Sequence, residues 1–498
     1  MAPNREICAF FFEDKGQGDY RCQLCGTPRK QQAGTGYSNL LSHLNLKHPD
    51  FEETYDTSLA TATPLSSFGF VSEAAKCRYQ WLQWVVERNM LLTEVDDPLT
   101  RSMSSWKPVS SKALKLDLQR CSKSVGVLVE KELGELFGLM WDGWTHGTAH
   151  YVGIYGVCYV RGMRCERLLS LSPLNDGSQD ADVHIDMFKR VLALYKKDIS
   201  MVAFLVADNC ATNQRIATLL ELPLVGCASH RYNLAVNRYL ASYETELTAV
   251  NSLMVQLCHV NNAAELARFT DRKPVKRNIT RWSSTFEMVC RYKEIRDSIR
   301  QVDAVEEFIP NGSTHKKLLA LLEQLKKLDS VCKTLQCENT SMADVRVLFD
   351  QVADDYPVMA SHLRPTAKIV HTPVFESALV KICNNTKLTA SELRAVQRFI
   401  VEPTATSGTR KERAASNYAS EILRGGKQMR TAGAATVSFH ELAKVVPPTS
   451  NTVERLFSQC KLVVTPQRTC MLPANFGMLA FLRVNRDLWN AASLITTE

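Results

Sequence analysis

Nowhere in the 498-residue chain do apolar residues run for the ~20 consecutive positions that a membrane-crossing helix requires. The opening Met1-Ala2-Pro3-Asn4-Arg5-Glu6 lacks the apolar core of a secretory signal. These two absences predict a protein that stays inside the cell and takes no membrane partner. A disulfide framework is missing as well. The sixteen cysteines are scattered and, apart from one cluster, follow no regular spacing, which in a reducing compartment means free thiols or metal ligands. Strong net charge is also absent, at +8 for the whole chain.

What is present is enough apolar content, 45%, for real cores, in a chain longer than one core usually spans. Two to four domains are expected. The modest positive charge is concentrated. Residues 261 to 300 carry ten Lys and Arg against five acids, and residues 410 to 430 carry six against two, excesses of 5 and 4. Such stretches attract phosphate backbones, although a solvated helix face has the same composition.

The cysteine cluster is Cys22-Gln23-Leu24-Cys25, followed by His43 and His48 in the spacing C-x2-C-x17-H-x4-H. Two thiolates on one knuckle and two imidazoles on about one face of a helix beginning near Tyr37-Ser38-Asn39 supply a tetrahedral zinc site. Beyond it, the Ser-, Thr- and Ala-rich stretch from Tyr55 to Lys76 reads as a linker, and Cys77 to Val86 and Leu114 to Leu133 carry helical apolar spacing.

From Leu133 the pattern changes to short strands. Leu136 to Trp144, His150 to Val160 and Cys165 to Leu174 form a predicted meander, with turns at His146-Gly147-Thr148 and Arg161-Gly162. An apolar helical stretch through Val183, Met187, Val191 and Leu194 precedes the strand Met201 to Ala207, which ends in Asp208-Asn209. This order predicts a mixed α/β sheet. Asp142 lies in the first strand and Asp208 at the end of the fourth, and Glu454 falls in Ser450-Asn451-Thr452-Val453-Glu454-Arg455-Leu456-Phe457. Three carboxylates can bridge and anchor two divalent metals held ~4 Å apart, the arrangement used for phosphoryl transfer on nucleic acid. The plainer alternatives are a turn acid, a helix N-cap and a capping-box glutamate.

Neighbouring strings add to this pattern. Trp141-Asp142-Gly143-Trp144-Thr145, Ala207-Asp208-Asn209-Cys210-Ala211-Thr212-Asn213, Gly226-Cys227-Ala228-Ser229-His230-Arg231, Thr280-Arg281-Trp282-Ser283-Ser284 and the Glu454 run occur in the order seen in hAT-superfamily transposases. Phe10-Phe11-Phe12, the four zinc ligands and Gly34 to Leu44 resemble a BED-type zinc finger, with phenylalanines where that family usually has Trp then Phe. The resemblance covers nearly the whole chain.

It implies an RNase H-like mixed sheet split by an all-helical insertion, plus the small finger. The implied boundaries are a finger over 1–54, a linker and helical support over 55–132, the first part of the core over 133–238, the insertion with a basic loop over 239–445, and a C-terminal dimerisation region completing the core over 446–498. Within the insertion, Leu318 to Leu325 and Leu388 to Ile400 read as helical. Asp142, Asp208 and Glu454 match the family's acidic triad and would hold Mg²⁺ or Mn²⁺. Arg281 and Trp282 match a pair that lies near cleaved DNA, although a Trp taken alone is more often a core anchor. Cys227 and His230 match a C-x2-H motif and would support the site, or serve as a buried thiol and a helix-capping imidazole.

Leu456-Phe457, Leu462 to Val464 and Phe476 to Leu488 resemble the family's dimerisation surface, or close the fold as an ordinary helix pair. The sequence departs from the family in having no Trp between Trp282 and Trp489, and in the Gly-, Ala-, Ser- and Arg-rich stretch Thr404 to Thr436. The expectation is a nuclear, homo-oligomeric protein on double-stranded DNA that cleaves and transfers strands. The alternatives are a domesticated transcription or chromatin factor without catalysis, and an inert relic.

Overall fold

A computed structural model describes residues 4–32, 36–52, 55, 72–174, 179–278, 281–401, 437–463 and 471–494. The chain divides into two compact units. One comprises Met1–Gln83, Val95–Asp117 and Asn490–Glu498, the other Trp84–Glu94 and Leu118–Trp489. Most of the expected linker, residues 56–71, and the expected basic loop, residues 404–436, lie outside the described residues.

In the first unit a helix, Asn4–Phe11, leads into three short antiparallel strands, β1 (Phe12–Asp14), β2 (Asp19–Cys22) and β3 (Pro28–Lys30). A second helix, Ser38–Lys47, follows, beginning where the sequence suggested. Gly18 makes the turn into β2 with φ +81°, and a Cβ there would lie 2.6 Å from the Gln31 carbonyl oxygen, so the position requires glycine. The core is small: Ile7, Phe11, Phe12, Leu40, Leu44 and Phe51 with few others. A core of this size needs reinforcement, which a bound metal can supply. The same unit contains a buried ion pair. Arg78 Nε donates to Asp117 Oδ2 at 2.7 Å, and Asp117 is fully buried. Trp81 packs edge-on against Trp106 and donates its indole N–H to the Lys107 carbonyl at 3.0 Å.

The second unit is organised by a five-stranded sheet. Its strands are β4 (Phe137–His146), β5 (Ala149–Val160), β6 (Met163–Pro173), β7 (Val202–Ala207) and β8 (Leu224–Gly226) in the spatial order β6-β5-β4-β7-β8. β4, β5 and β6 form the antiparallel meander, and β7 and β8 add in parallel, giving a mixed α/β sheet. The composition of β7 explains its place. Val202-Ala203-Phe204-Leu205-Val206-Ala207 is buried at every position, as a central parallel strand covered on both faces must be. Phe204 packs into the space left by Gly138 on β4, where a Cβ would meet the ring at 2.2 Å.

Helices Ala181–Leu194 and Ala211–Leu220 make the crossovers into β7 and β8. Two C-terminal helices complete the layer. Asn451–Val463 lies on β4 and β5, where Gly153 leaves room for Val453, Leu456 and Phe457. Pro473–Val484 lies on β6, where Gly477 closes on the Leu171 carbonyl. Val453, Leu456, Phe457, Cys460, Phe476 and Ala480 are therefore buried in the chain's own core, whereas Leu462 stays exposed.

Between β8 and the last helices runs a largely helical stretch with its own core around Tyr232, Trp282, Tyr292 and Phe349. The expected helix at Leu318 to Leu325 is part of Gly312–Leu335. The expected helix from Leu388 to Ile400 is corrected: only Ala390–Ala395 is α-helical. A 3₁₀ turn, Gln397–Phe399, follows, and then β9 (Ile400–Val401), paired with β10 (Ser438–Phe439). Val396, the C-cap of Ala390–Ala395, and Phe399 are both buried where the chain turns toward β9. The stretch is thus not wholly helical. Arg231 and Glu376 form a buried pair that joins Ala228–Leu240 to Pro373–Cys383. Arg231 Nη1 donates to Glu376 Oε2 at 3.1 Å, and the guanidinium also donates to the carbonyls of His362, Leu363 and Arg364.

Candidate functional site

In the first unit Cys22, Cys25, His43 and His48 come together, with one ligand atom from each lying within 4.8 Å of all the others. The β2–β3 turn presents both sulfurs, the Ser38–Lys47 helix carries His43, and His48 caps its end. His48 Nε2 lies 3.7 Å from Cys22 Sγ, and His43 Nε2 lies 3.3 Å from Cys25 Sγ. A tetrahedral zinc with bonds of about 2.0–2.3 Å has ligand edges of about 3.3–3.8 Å, so the donor set fits that ion. The four residues can hold a structural metal such as zinc.

Arg29 Nη2 lies 3.0 Å from His43 Nδ1, which turns the other ring nitrogen toward Cys25. Hydrogen bonding from Thr27 brings the Cys25 thiol down to about 5, so the exposed ligand is a thiolate at neutral pH. Burial pushes the Cys22 thiol up.

In the second unit Asp142, Asp208 and Glu454 approach one end of the sheet. Leu139 pairs with Leu205 and Met140 with Val206 in the parallel β4–β7 ladder. The recorded pairing ends there, and Asp142, two residues on in β4, and Asp208, just past the end of β7, continue from these neighbouring strands. Glu454 enters from the first turn of Asn451–Val463, the helix on the same face of β4.

The mutual influence of the three carboxylates shows in Asp142. Burial raises its carboxyl from 3.8 to about 7, with further upward push from the charges of Glu454 and Asp208. The Gly143 N–H, which donates to Asp142 Oδ1 at 2.8 Å, and the Arg281 guanidinium work in the opposite direction. An excess of negative charge with too little compensation is what a divalent cation relieves. Among the described residues, however, no second set of three or more metal-ligating side chains closes within 4.8 Å as the Cys2His2 group does.

None of the plainer alternatives describes the three acids. Asp142 lies within β4, not in a turn. The N-cap of the helix after β7 is Cys210, not Asp208. Glu454 Oε2 accepts from Arg281 Nη2 at 3.0 Å. The side chains of that pair are 69% and 38% exposed, so the contact is open to solvent and to competitors.

Arg281 itself precedes the helix Trp282–Ile299 as its N-cap; Thr280, beside it in the motif, lies outside the described residues. Of the two readings of Trp282, the structure shows the core anchor. It is 3% exposed and packs against Tyr232 and Phe286, an anchor of the helical core.

Cys227 supports the site by tying its parts together. Its N–H donates to the Ala207 carbonyl at 2.7 Å, next to Asp208, and its sulfur accepts the Ser450 N–H at 3.4 Å, just ahead of the Glu454 helix. Ala228 N–H donates to the Pro448 carbonyl at 2.9 Å and strengthens the same junction. His230 is half-buried on the first turn of Ala228–Leu240, and among the described residues it joins no group of three ligands.

Two supporting residues escape sequence reasoning. Asn451 Nδ2 donates to the Leu335 carbonyl at 3.1 Å, fixing the start of the Glu454 helix against Gly312–Leu335. Asn213 donates to Asp208 and accepts from Trp141. Position within the Asp208 string was the available signal for Asn213; nothing local marks the distant partner of Asn451.

Neither a scan of protein-family models nor a search of curated proteins returns a match for this chain.

Proposed function

We propose that this chain is a nuclear, DNA-binding protein of the hAT-transposase kind. Its first unit carries a BED-type zinc finger, and its second an RNase H-like core that cuts and joins DNA strands. The observation that carries this reading is the meeting of Asp142, Asp208 and Glu454, drawn from three elements far apart in sequence, at one end of a mixed sheet. Mg²⁺ or Mn²⁺ bound there would activate the attacking oxygen and stabilise the leaving one.

The chain's own residues supply the rest. Asp142 and Asp208, on adjacent strands, present fixed carboxylates. Glu454 approaches them from the helix above, and Cys227 and Ser450 hold that helix to the strand ends. Arg281, exposed and within the basic stretch 268–300, exchanges its Glu454 contact for a DNA phosphate. Double-stranded DNA is the partner. The working form is a homo-oligomer joined by surface outside the buried part of the C-terminal helices.

A second reading, a domesticated DNA-binding factor without catalysis, is favoured by two features. Glu454 is engaged by Arg281, and the three carboxylates do not close to the spacing of the Cys2His2 group. One experiment separates the two: cleavage of DNA bearing the gene's own flanking sequences in Mg²⁺ or Mn²⁺, wild type against Asp208→Asn. Metal-dependent breaks lost in the variant support the enzyme. Selective binding without breaks supports the factor, and neither activity refutes both.

A further inference from the structure

The side chain of Asp208 is braced by the helix that follows β7. Asn213, on the first turn of Ala211–Leu220, directs its amide Nδ2 at Asp208 Oδ1 and at the Asp208 carbonyl oxygen, 3.2 Å away. An amide has an oxygen end and a nitrogen end, and it presents the donor to Asp208 only if something fixes which end is which. Trp141 does this: its indole Nε1, which can only donate, lies 3.2 Å from Asn213 Oδ1. Trp141 is 2% exposed, packs on Phe188 with ring centroids 4.9 Å apart, and leaves the amide no competing arrangement with water, since Asn213 is 8% exposed.

Trp141 also adjoins Asp142 in β4, and successive strand residues point to opposite faces. One short relay, Trp141 to Asn213 to Asp208, therefore ties the side chain of Asp208 to the strand that carries Asp142.

We infer that Asn213 is a positioning residue for Asp208, oriented by Trp141. With Oδ1 engaged by the amide, the carboxylate is turned so that Oδ2 is the oxygen offered to a divalent cation. The inference rests on the carboxylate reading above and extends it to residues that touch neither cation nor DNA.

The test is Mn²⁺ binding to the full chain, followed by the loss of the free-ion electron paramagnetic resonance signal. Wild type is compared with Asp208→Asn, Asn213→Ala, Trp141→Phe and the Asn213→Ala/Trp141→Phe double variant. Trp141→Phe keeps an aromatic ring against Phe188 and removes only the N–H, so it guards against a folding defect in Asn213→Ala, and circular dichroism checks every variant.

Wild type is expected to show a site abolished by Asp208→Asn. Asn213→Ala should weaken it about 10–100-fold, the usual effect of losing a ligand's hydrogen-bond partner, and Trp141→Phe should weaken it less. The double variant should bind no more weakly than Asn213→Ala, because the two residues act in series. Folded single variants that bind Mn²⁺ as tightly as wild type would overturn the relay and leave the carboxylate reading standing. A wild type with no Asp208-dependent site would overturn the carboxylate reading and the relay with it.

Discussion

Replacing Asp142 by Asn should stabilise the metal-free protein, by an amount that grows as pH rises above about 4 and levels off near 7. In the fold the Asp142 carboxyl keeps its proton up to about 7, against an ordinary 3.8, because burial and the charges of Glu454 and Asp208 disfavour the anion. The unfolded chain therefore ionises first, and between these values each pH unit costs the fold about 1.4 kcal/mol. The cost is absent below pH ~4, grows to about 4 kcal/mol near pH 7 and stays level above it. Asp142 keeps some contact with water, so about 2–4 kcal/mol is the working range.

Asparagine cannot ionise and still accepts the Gly143 N–H. Urea unfolding followed by tryptophan fluorescence, with Trp141 and Trp144 flanking the site, should show the variant more stable than wild type by that amount at pH 8. The gain should shrink steadily toward pH 4. Excess Mg²⁺ should reverse the order by stabilising the wild type alone, since a ligand that binds only the native form raises its stability. A variant no more stable than wild type at pH 8 would refute the burial and crowding assigned to Asp142.

Other substitutions probe the remaining structure. Cys25→Ser should release zinc and, because the finger's core is small, unfold the first ~50 residues; zinc content by mass spectrometry that matches wild type would discard the cluster. Arg281→Ala should cost less than about 1 kcal/mol of stability, its pair with Glu454 being exposed. It should also weaken DNA binding and make the salt dependence shallower by about one counterion; an unchanged slope would count against a phosphate contact. Arg231→Met leaves Glu376 buried without its cation and should destabilise by about 3–5 kcal/mol in thermal or urea unfolding. Adding Glu376→Met should recover much of that loss, and a single variant as stable as wild type would show the pair to be dispensable.

The sheet was legible in the sequence because its signals are local. Alternating or continuous apolar runs mark β4 to β7, the turns at Gly147 and Gly162 separate the meander, and Asp208 ends an unbroken apolar strand. The Cys2His2 cluster was legible for the same reason, since four side chains in one metal-binding spacing carry their geometry with them. Trp282 was not: its neighbours in the core, Tyr232 and Phe286, are set by helix packing, and a Trp beside an Arg in a basic run has the same local pattern whether it faces DNA or a core.

The apolar C-terminal helices read as a surface because their partners, Gly153 on β5 and Leu171 on β6, lie some 300 residues earlier. The contacts that hold the carboxylates together, Asn213 with Trp141 and Cys227 with Ser450, are likewise long-range and invisible to periodicity. The helix expected through Ile400 stops at Ala395, and Ile400–Val401 pairs instead with Ser438–Phe439, a partner nearly 40 residues later that no local pattern marks.

The most direct test of the central claim is a crystal soaked in Mn²⁺, with anomalous scattering locating the ion. The account expects a peak coordinated by Asp142 and Asp208, with Glu454 turned from Arg281 toward it. A peak elsewhere, or none while the zinc cluster is loaded, would contradict the claim that these three carboxylates form one metal site.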